Sequence, residues 1–193
     1  KSIIKPPAEH IIFTSSMTVY SEKDLIPVRD DLIPINPNGT PYSAWKWQAE
    51  KILMSNNKRT TILRLPGIFG QPREKGLIYN AIKSFLYGSK LSLMDNMPLW
   101  APLHIDDAVE ACIAATKRES KCSITLNVGY PGKHSIPIIV NKIAEMTGYK
   151  EKILNNSPVF EMDLSNFHQH LGYVKVGLLE ERLESYINWI KNK

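Results

Sequence analysis

Short, almost continuously apolar segments alternate with longer segments of helical periodicity, and this alternation constrains the fold more than any other feature of the chain. The apolar segments at 10–16, 60–65 and 123–129 are rich in β-branched residues, which is typical of buried strands. Strands that are apolar on both faces occur in parallel sheets with helices on both sides. The sequence therefore predicts an α/β fold with a parallel sheet.

The intervening segments predict the helices that would cover this sheet. Thr40 can cap a helix and Pro41 suits its first turn, so a helix is predicted over about 42–55. An apolar stripe at helical spacing predicts a last helix over 178–190. The remaining predicted elements are helices at 76–88, 105–118 and 136–146, a short strand at 90–94, and a long Pro-rich loop at 21–41.

Composition excludes several classes of protein. The 193 residues are 43% hydrophobic and 22% charged with a formal net charge of +5, which is ordinary for a globular protein and not for a disordered tail. The basic residues are spread out without interleaved aromatics, and no apolar run approaches the roughly 20 residues of a membrane helix. We therefore expect neither a nucleic-acid nor a membrane partner, and we predict no metal site. Cys112 and Cys122 form no disulfide framework, which favours a reducing compartment, the cytoplasm.

Polar or turn-forming residues follow each predicted strand, where a parallel sheet binds its ligands. They are Thr14, Ser15 and Ser16, then Pro66, Gly67 and Gly70, then Asn127 and Gly129. In the next helix, Tyr42 and Lys46 are spaced i and i+4 and so share one face. This Tyr-x-x-x-Lys pair has two interpretations: a surface lysine beside a half-buried tyrosine, or a catalytic pair.

The catalytic interpretation has a physical basis. A free phenol is a poor base near neutral pH, and a nearby ammonium favours its ionised form. Tyr42 could then move a proton to or from a substrate hydroxyl. A serine hydroxyl from the adjacent strand end could hold the same oxygen as a carbinol becomes a carbonyl.

Five segments resemble, in the same order, motifs of the extended short-chain dehydrogenase/reductases, also called the NAD-dependent epimerase/dehydratase family. They are IIFTSSMTVY, TPYSAWKWQAEKIL, TILRLPGIFGQP, LHIDDAVEA and TLNVGYPGKHSI. The resemblance implies the last strands of a Rossmann-like parallel sheet, formed by 1–74 and 100–131. It also implies a small α/β substrate-binding region formed by 75–99 and 132–193.

The resemblance also implies roles for individual residues. Ser16 corresponds to the catalytic hydroxyl, Tyr42 to the acid/base, and Lys46 to the lysine that binds the nicotinamide ribose and tunes the tyrosine. Contacts to NAD or NADP would come from Thr14, Ser15, Tyr42, Lys46, Leu65, Pro66, Gly67 and Ile68. For Pro66 and Gly67 a tight turn out of a strand is the other interpretation, and both can hold. For His104, Asp106 and Asp107 we expect structural roles.

The chain departs from the family pattern at its start and around the substrate. It begins just before the family's fifth strand and lacks the Gly-rich turn that binds the cofactor pyrophosphate. We therefore expect a fragment, a truncated paralogue or one of two partner chains, with weak binding of NAD(P) and little turnover alone. Gly67 and Trp100 replace an asparagine and an arginine that hold a diphosphate in many members, and nearby Arg73, Lys75 and Lys90 are alternative donors.

Two classes of function follow. The first is an NAD(P)-dependent epimerase or reductase acting on a carbinol or carbonyl carbon of a nucleotide sugar or a smaller substrate. A dehydratase is disfavoured because Met17 and Thr18 replace its usual Asp-Glu pair. The second is a non-catalytic, truncated member that acts in regulation or as an interaction protein. In the family the Tyr-bearing helix packs in a dimer, so Trp45 would either join a homodimer contact or fill a core.

Overall fold

The computed structural model describes residues 8–35, 37, 39–93, 98–151, 157–172 and 176–193. The strands are β1 (His10–Ser16), β2 (Arg59–Leu65), β3 (Gly67–Phe69), β4 (Pro102–His104) and β5 (Ile124–Asn127). The helices are α1 (Pro41–Met54), α2 (Leu77–Leu86), α3 (Ile105–Lys117), α4 (Ile136–Thr147), α5 (Ser165–Leu171) and α6 (Leu179–Lys191), and a 3₁₀ turn spans Met17–Val19.

The main sheet confirms the predicted α/β fold with a parallel, Rossmann-like sheet. Its strand order is β1-β2-β5, and both pairings are parallel. The register places Ser16 beside Leu65, and Arg64 beside Asn127. The carboxyl ends of all three strands therefore lie at the same end of the sheet, and among the described residues β1 and β5 are its two outer strands.

The helix boundaries follow from local chemistry. Thr40 Oγ1 accepts a hydrogen bond from the Ser43 amide at 3.1 Å, and the Thr40 amide donates to Ser43 Oγ at 2.8 Å. This capping box, with Pro41 in the first turn, starts α1 where the sequence predicts it. Ser135 caps α4, which ends at Gly148 with a φ of 76°, a conformation that favours glycine.

The larger hydrophobic core lies between the sheet and helices α2, α3, α4 and α6. The predicted stripe of α6 is buried in full: Leu179, Leu183, Tyr186, Ile187 and Ile190. This core includes both Leu63 of β2 and Ile139 of α4, so it continues across the two regions that the resemblance implies. That division into regions stays a prediction. A smaller core joins Val19 and Tyr20 to Phe160 and Met162.

Three details differ from the sequence analysis. The predicted strand at 90–94 is wrong over 90–93, which form neither helix nor strand, and Met94 lies outside the described residues. The strands β3 and β4 form a second parallel sheet that the Pro-Gly signal at 66–67 concealed. Helix α5 was missed because it is short and buries only Phe167.

Over the residues that the structure describes, no helix is long and apolar enough to cross a lipid bilayer. The same part of the chain contains no group of three histidine, cysteine or carboxylate side chains placed to hold a metal ion.

Candidate active site

Lys46 and Tyr42 lie at the junction between α1 and the end of β1. The Lys46 ammonium crosses to the strand and donates a hydrogen bond to the Thr14 carbonyl, with an Nζ–O distance of 2.8 Å. Its Nζ lies 5.6 Å from the centre of the Tyr42 ring and 5.0 Å from that of Phe13. Tyr42 is 56% exposed, and its hydroxyl has no hydrogen-bond partner among the described residues. The structure thus holds the ammonium beside a phenol that is open to a ligand.

Ser16 ends β1 and caps the 3₁₀ turn that follows. Its Oγ accepts hydrogen bonds from the Thr18 amide at 3.2 Å and from Thr18 Oγ1 at 3.1 Å. A hydroxyl has two acceptor positions and one proton, so Thr18 occupies the acceptors and leaves the Ser16 proton to donate elsewhere. In the described part of the chain Ser16 and Tyr42 form no direct hydrogen bond.

Ser15 differs from its neighbour Ser16 because successive strand residues point to opposite faces. Its side chain is buried, and its hydroxyl donates to the carboxylate of Glu50. The resemblance assigns the catalytic hydroxyl to Ser16 and a cofactor contact to Ser15. The structure shows that the Ser15 hydroxyl is engaged inside the protein, whereas the Ser16 hydroxyl keeps a free donor.

A buried ion pair lies directly behind this junction, and sequence reasoning missed it. Arg64 Nη2 donates to Glu50 Oε2 at 2.7 Å, and Arg64 Nε lies 3.2 Å from both carboxylate oxygens. The side chains of Arg64 and Glu50 are only 3% and 2% exposed. Two signals could have found the pair: an arginine within the apolar strand at 59–65, and a glutamate one helical turn after Lys46.

The ion pair extends into a buried hydrogen-bond network. Arg64 Nη1 donates to the Tyr20 hydroxyl at 2.7 Å, and that hydroxyl donates to Asn127 Oδ1 at 2.8 Å. Burial raises the pKa of Tyr20 to about 12, so this phenol stays protonated near neutral pH. The backbone N–H of Asn127 donates to the Asp30 carboxylate at 2.8 Å, and burial raises the pKa of the Asp30 carboxyl. The network ties the Pro-rich loop to the sheet beneath the candidate site.

Gly67 and Trp100 are in direct contact just beyond the carboxyl end of β2. The Gly67 amide donates to the Ala101 carbonyl at 2.8 Å, which places the Trp100 indole over the glycine. A Cβ atom at position 67 would lie 2.4 Å from Trp100 Nε1, so only glycine fits without displacing the indole. Arg73, one of the alternative donors, directs its Nε to the Lys75 carbonyl at 3.2 Å.

A cleft of about 440 Å³ opens beside the turn that Ser16 caps. Thr18 and Ser43, the neighbours of the candidate catalytic residues, lie on its wall, and Pro98 and Leu99 line it as well. The cleft has the size of a small-molecule site, but Ser16, Tyr42 and Lys46 are not among the residues that line it.

His104, Asp106 and Asp107 have structural contacts, as expected. His104 Nδ1 accepts from the Asp106 amide at 3.3 Å and so caps α3, and burial lowers the pKa of its ring. Asp107 is fully buried and accepts hydrogen bonds from Arg182 Nη2 at 2.6 Å and the Gly177 amide at 3.0 Å. Burial acts to raise the pKa of Asp107, but these hydrogen bonds outweigh it and lower that pKa. The contact fixes α3 to α6.

The parallel sheet and the helices that cover it define a Rossmann-like α/β class of protein. Residues 2–129 match the model of the NAD dependent epimerase/dehydratase family, and the chain belongs to that family.

The chain is also similar to individual proteins in sequence and in fold. The chain is 23% identical over 214 residues to the UDP-glucose 4-epimerase of Azospirillum brasilense, covering 94% of this chain and 60% of the relative. Its fold matches the UDP-glucose 4-epimerase of Thermotoga maritima, solved with UDP-glucose, at a TM-score of 0.78 and 20% identity, covering 96% of this chain and 64% of that one. It also matches the Bordetella bronchiseptica enzyme WbmG, solved with NAD and UDP, at a TM-score of 0.79 and 18% identity, covering 96% and 61%. The chain therefore spans about three fifths of the length of these proteins.

Proposed function

We propose that the chain is the catalytic and substrate-binding part of an NAD-dependent epimerase that acts on a carbinol carbon of a nucleotide sugar. The observation that carries the proposal is the Lys46 ammonium, held by Thr14 at 2.8 Å beside the open Tyr42 phenol. The proteins that it resembles include epimerases solved with NAD or with UDP-sugars, which supports this cofactor and substrate class. A smaller carbonyl substrate and NADP are the alternatives.

The chain's own groups divide the acid–base work. The substrate hydroxyl would lie between Ser16 and Tyr42, where Ser16 donates its remaining proton to the oxygen and Tyr42 removes the hydroxyl proton. Lys46 stabilises the phenolate form of Tyr42, which is the form that accepts this proton. NAD, if held at its nicotinamide end by Lys46 and the segment at 65–68, would supply the hydride chemistry at this carbon, oxidation followed by reduction on the opposite face. Tyr42 then gives its proton back to the oxygen.

The residues present fit the nicotinamide end of the cofactor. Lys46 gives one N–H to Thr14, and its other donors have no partner among the described residues, so they can reach the ribose hydroxyls. Thr14 acts through its carbonyl, and any contact from Ser15 would come from its backbone, because its hydroxyl is bound to Glu50. The segment at 65–68 would face the nicotinamide through backbone atoms.

The isolated chain would bind NAD and NADP weakly and turn over little. The chain spans 60% of its curated relative, and the outer edge of β1 has no strand beside it in the described residues. Calorimetric titration of the isolated chain with each cofactor tests this expectation. Micromolar affinity for either would contradict it.

Replacing Tyr42 by phenylalanine in the full-length protein tests the catalytic role. Removing a general acid/base should lower kcat by about 10²–10⁴-fold while the fold is kept. Tyr87→Phe, at an exposed tyrosine beyond α2, is the matched control and should leave kcat unchanged. Turnover of Tyr42→Phe within about tenfold of the parent would contradict a general acid/base role for Tyr42. Absence of turnover in the full-length parent would favour the non-catalytic alternative, a regulatory or interaction protein.

Helix α1 is also proposed as a homodimer contact. Trp45 is 79% exposed and therefore does not fill a core within the described chain. Ile52, two turns further along α1, is exposed as well. Trp45→Glu should shift the full-length protein from dimer to monomer in analytical ultracentrifugation, and an unchanged dimer would contradict the contact.

A further inference from the structure

The Glu50–Arg64 pair is buried at a place where a charged pair is costly. Removing two charges from water costs several kcal/mol, and a well-packed apolar pair of similar volume is often at least as stable. Both side chains lie at the base of the candidate site and are nearly inaccessible to solvent. Stability alone is therefore a weak explanation for the pair, and its contacts indicate what else it does.

Glu50 and Lys46 form hydrogen bonds with consecutive residues of β1. Lys46 donates to the Thr14 carbonyl, and one helical turn later Glu50 accepts from the Ser15 hydroxyl. Both contacts precede Ser16 directly. They fix the position of α1 along the strand at the point where the tyrosine, the lysine and the serine must converge.

Arg64 holds the chain on the other side of Ser16. Its guanidinium binds Glu50 and also donates to the Tyr20 hydroxyl, which lies just after the 3₁₀ turn that Ser16 caps. Tyr20 is fixed in turn by Asn127 of β5. Ser16 is thus flanked by Ser15 and Tyr20, and both are tied to the same ion pair.

We infer that Glu50 and Arg64 are positioning residues that keep Tyr42 and Lys46 of α1 at the distance from Ser16 that catalysis needs. This inference rests on the proposed function. The pair touches neither substrate nor cofactor. It sets the distance from Tyr42 and Lys46 to Ser16, and an error of about 1 Å in such a distance can cost about 10²-fold in rate.

The test replaces the pair by apolar residues of similar size, Glu50→Leu with Arg64→Met, in the full-length protein. The double variant leaves no unpaired charge, so it should melt near the parent temperature. The inference predicts that kcat still falls at least about tenfold with KM for the substrate unchanged. If the pair had only a structural role, a double variant that folds normally would also have normal kcat. A folded double variant with kcat within about threefold of the parent would therefore overturn the inference.

A second ion pair, in which Asp107 is buried and Arg182 is partly exposed, provides the control. Asp107→Asn with Arg182→Met removes the charged pair that joins α3 to α6 and keeps an acceptor for the Gly177 amide. This variant should leave kcat unchanged. An equal loss of kcat in the control would show that removing any ion pair has the same effect, and would also overturn the inference.

Two further measurements cover failure of folding and failure of the proposed function. Ser15→Ala removes one hydroxyl and no charge, and it should lower kcat by about threefold to tenfold without changing the melting temperature. In the isolated chain, NMR contacts between the Lys46 side chain and the rings of Phe13 and Tyr42 should weaken in Ser15→Ala. Unchanged contacts would refute the positioning role even if the protein proves to have no epimerase activity.

Discussion

In the first turn of α1 the Tyr42 side chain is open to solvent, whereas one turn after Lys46 the Glu50 side chain is buried and paired. Tyr42 faces solvent with its hydroxyl unpartnered among the described residues, while Glu50 is held by Arg64 and Ser15. The two regions share one helix and lie against one strand. The difference shows how the fold separates two tasks. A reactive side chain needs hydrogen-bonding groups that are free to bind a substrate, whereas a positioning side chain needs hydrogen-bond partners within the protein.

The largest expected effect on stability comes from breaking the buried region. Arg64→Met alone leaves the Glu50 carboxylate buried without its partner, which should lower the free energy of unfolding by about 3–5 kcal/mol. Urea denaturation of the isolated chain measures this. Arg29→Met, at an exposed pair with Asp31, is the control and should change little. A small loss in Arg64→Met would mean that the two regions do not differ as described.

Breaking the open region should affect turnover and not stability. Lys46→Met removes the ammonium beside Tyr42 and should lower kcat of the full-length protein by about 10²-fold, because the phenolate loses its stabilising charge. The urea midpoint of the isolated chain should stay close to that of the parent. A large loss of stability in Lys46→Met together with a normal kcat would contradict the difference between the open and the buried region.

Gly67 and Trp100 allow a sharper test of a neighbouring contact. Gly67→Ala places a Cβ against the indole and should lower the free energy of unfolding by about 1–3 kcal/mol through overpacking. Adding Trp100→Ala removes the obstacle, so the two changes should be non-additive in a double-mutant cycle. Additive losses would show that the indole does not cover the glycine.

Acidification should have the smallest effect on the free energy of unfolding. The histidines responsible lie outside α1. Burial lowers the pKa of His10, His104 and His134 below their usual value near 6.5. The unfolded chain then binds more protons, so stability is fully present above that value and falls as the pH decreases through the folded-state pKa values. Denaturation at about pH 7.5 and about pH 5.5 should show lower stability at the acidic pH. His134→Gln should reduce this difference in stability between the two pH values. Higher stability at the acidic pH would contradict the lowered pKa values of the histidines.

The open region was predictable from sequence because its signals are local. Spacing i and i+4 places Tyr42 and Lys46 on one helix face, and Thr40 with Pro41 marks where that helix begins. The parallel direction of the strands follows from the alternation of apolar strands and helices.

The buried region was not predictable because its contacts join distant elements. An arginine inside an apolar strand signals that a carboxylate is near, but not that the partner is Glu50 rather than Asp30. The pairing of β3 with β4 likewise depends on a crossover, and Pro66 with Gly67 gave a local turn signal that concealed it.

The most direct test of the central claim is a crystal structure of the full-length protein with NAD and a substrate analogue. The account predicts that the analogue's hydroxyl oxygen lies within about 2.6–3.2 Å of both Tyr42 Oη and Ser16 Oγ, with Lys46 still bound to the Thr14 carbonyl. A bound analogue whose reacting oxygen faces away from either hydroxyl would contradict it.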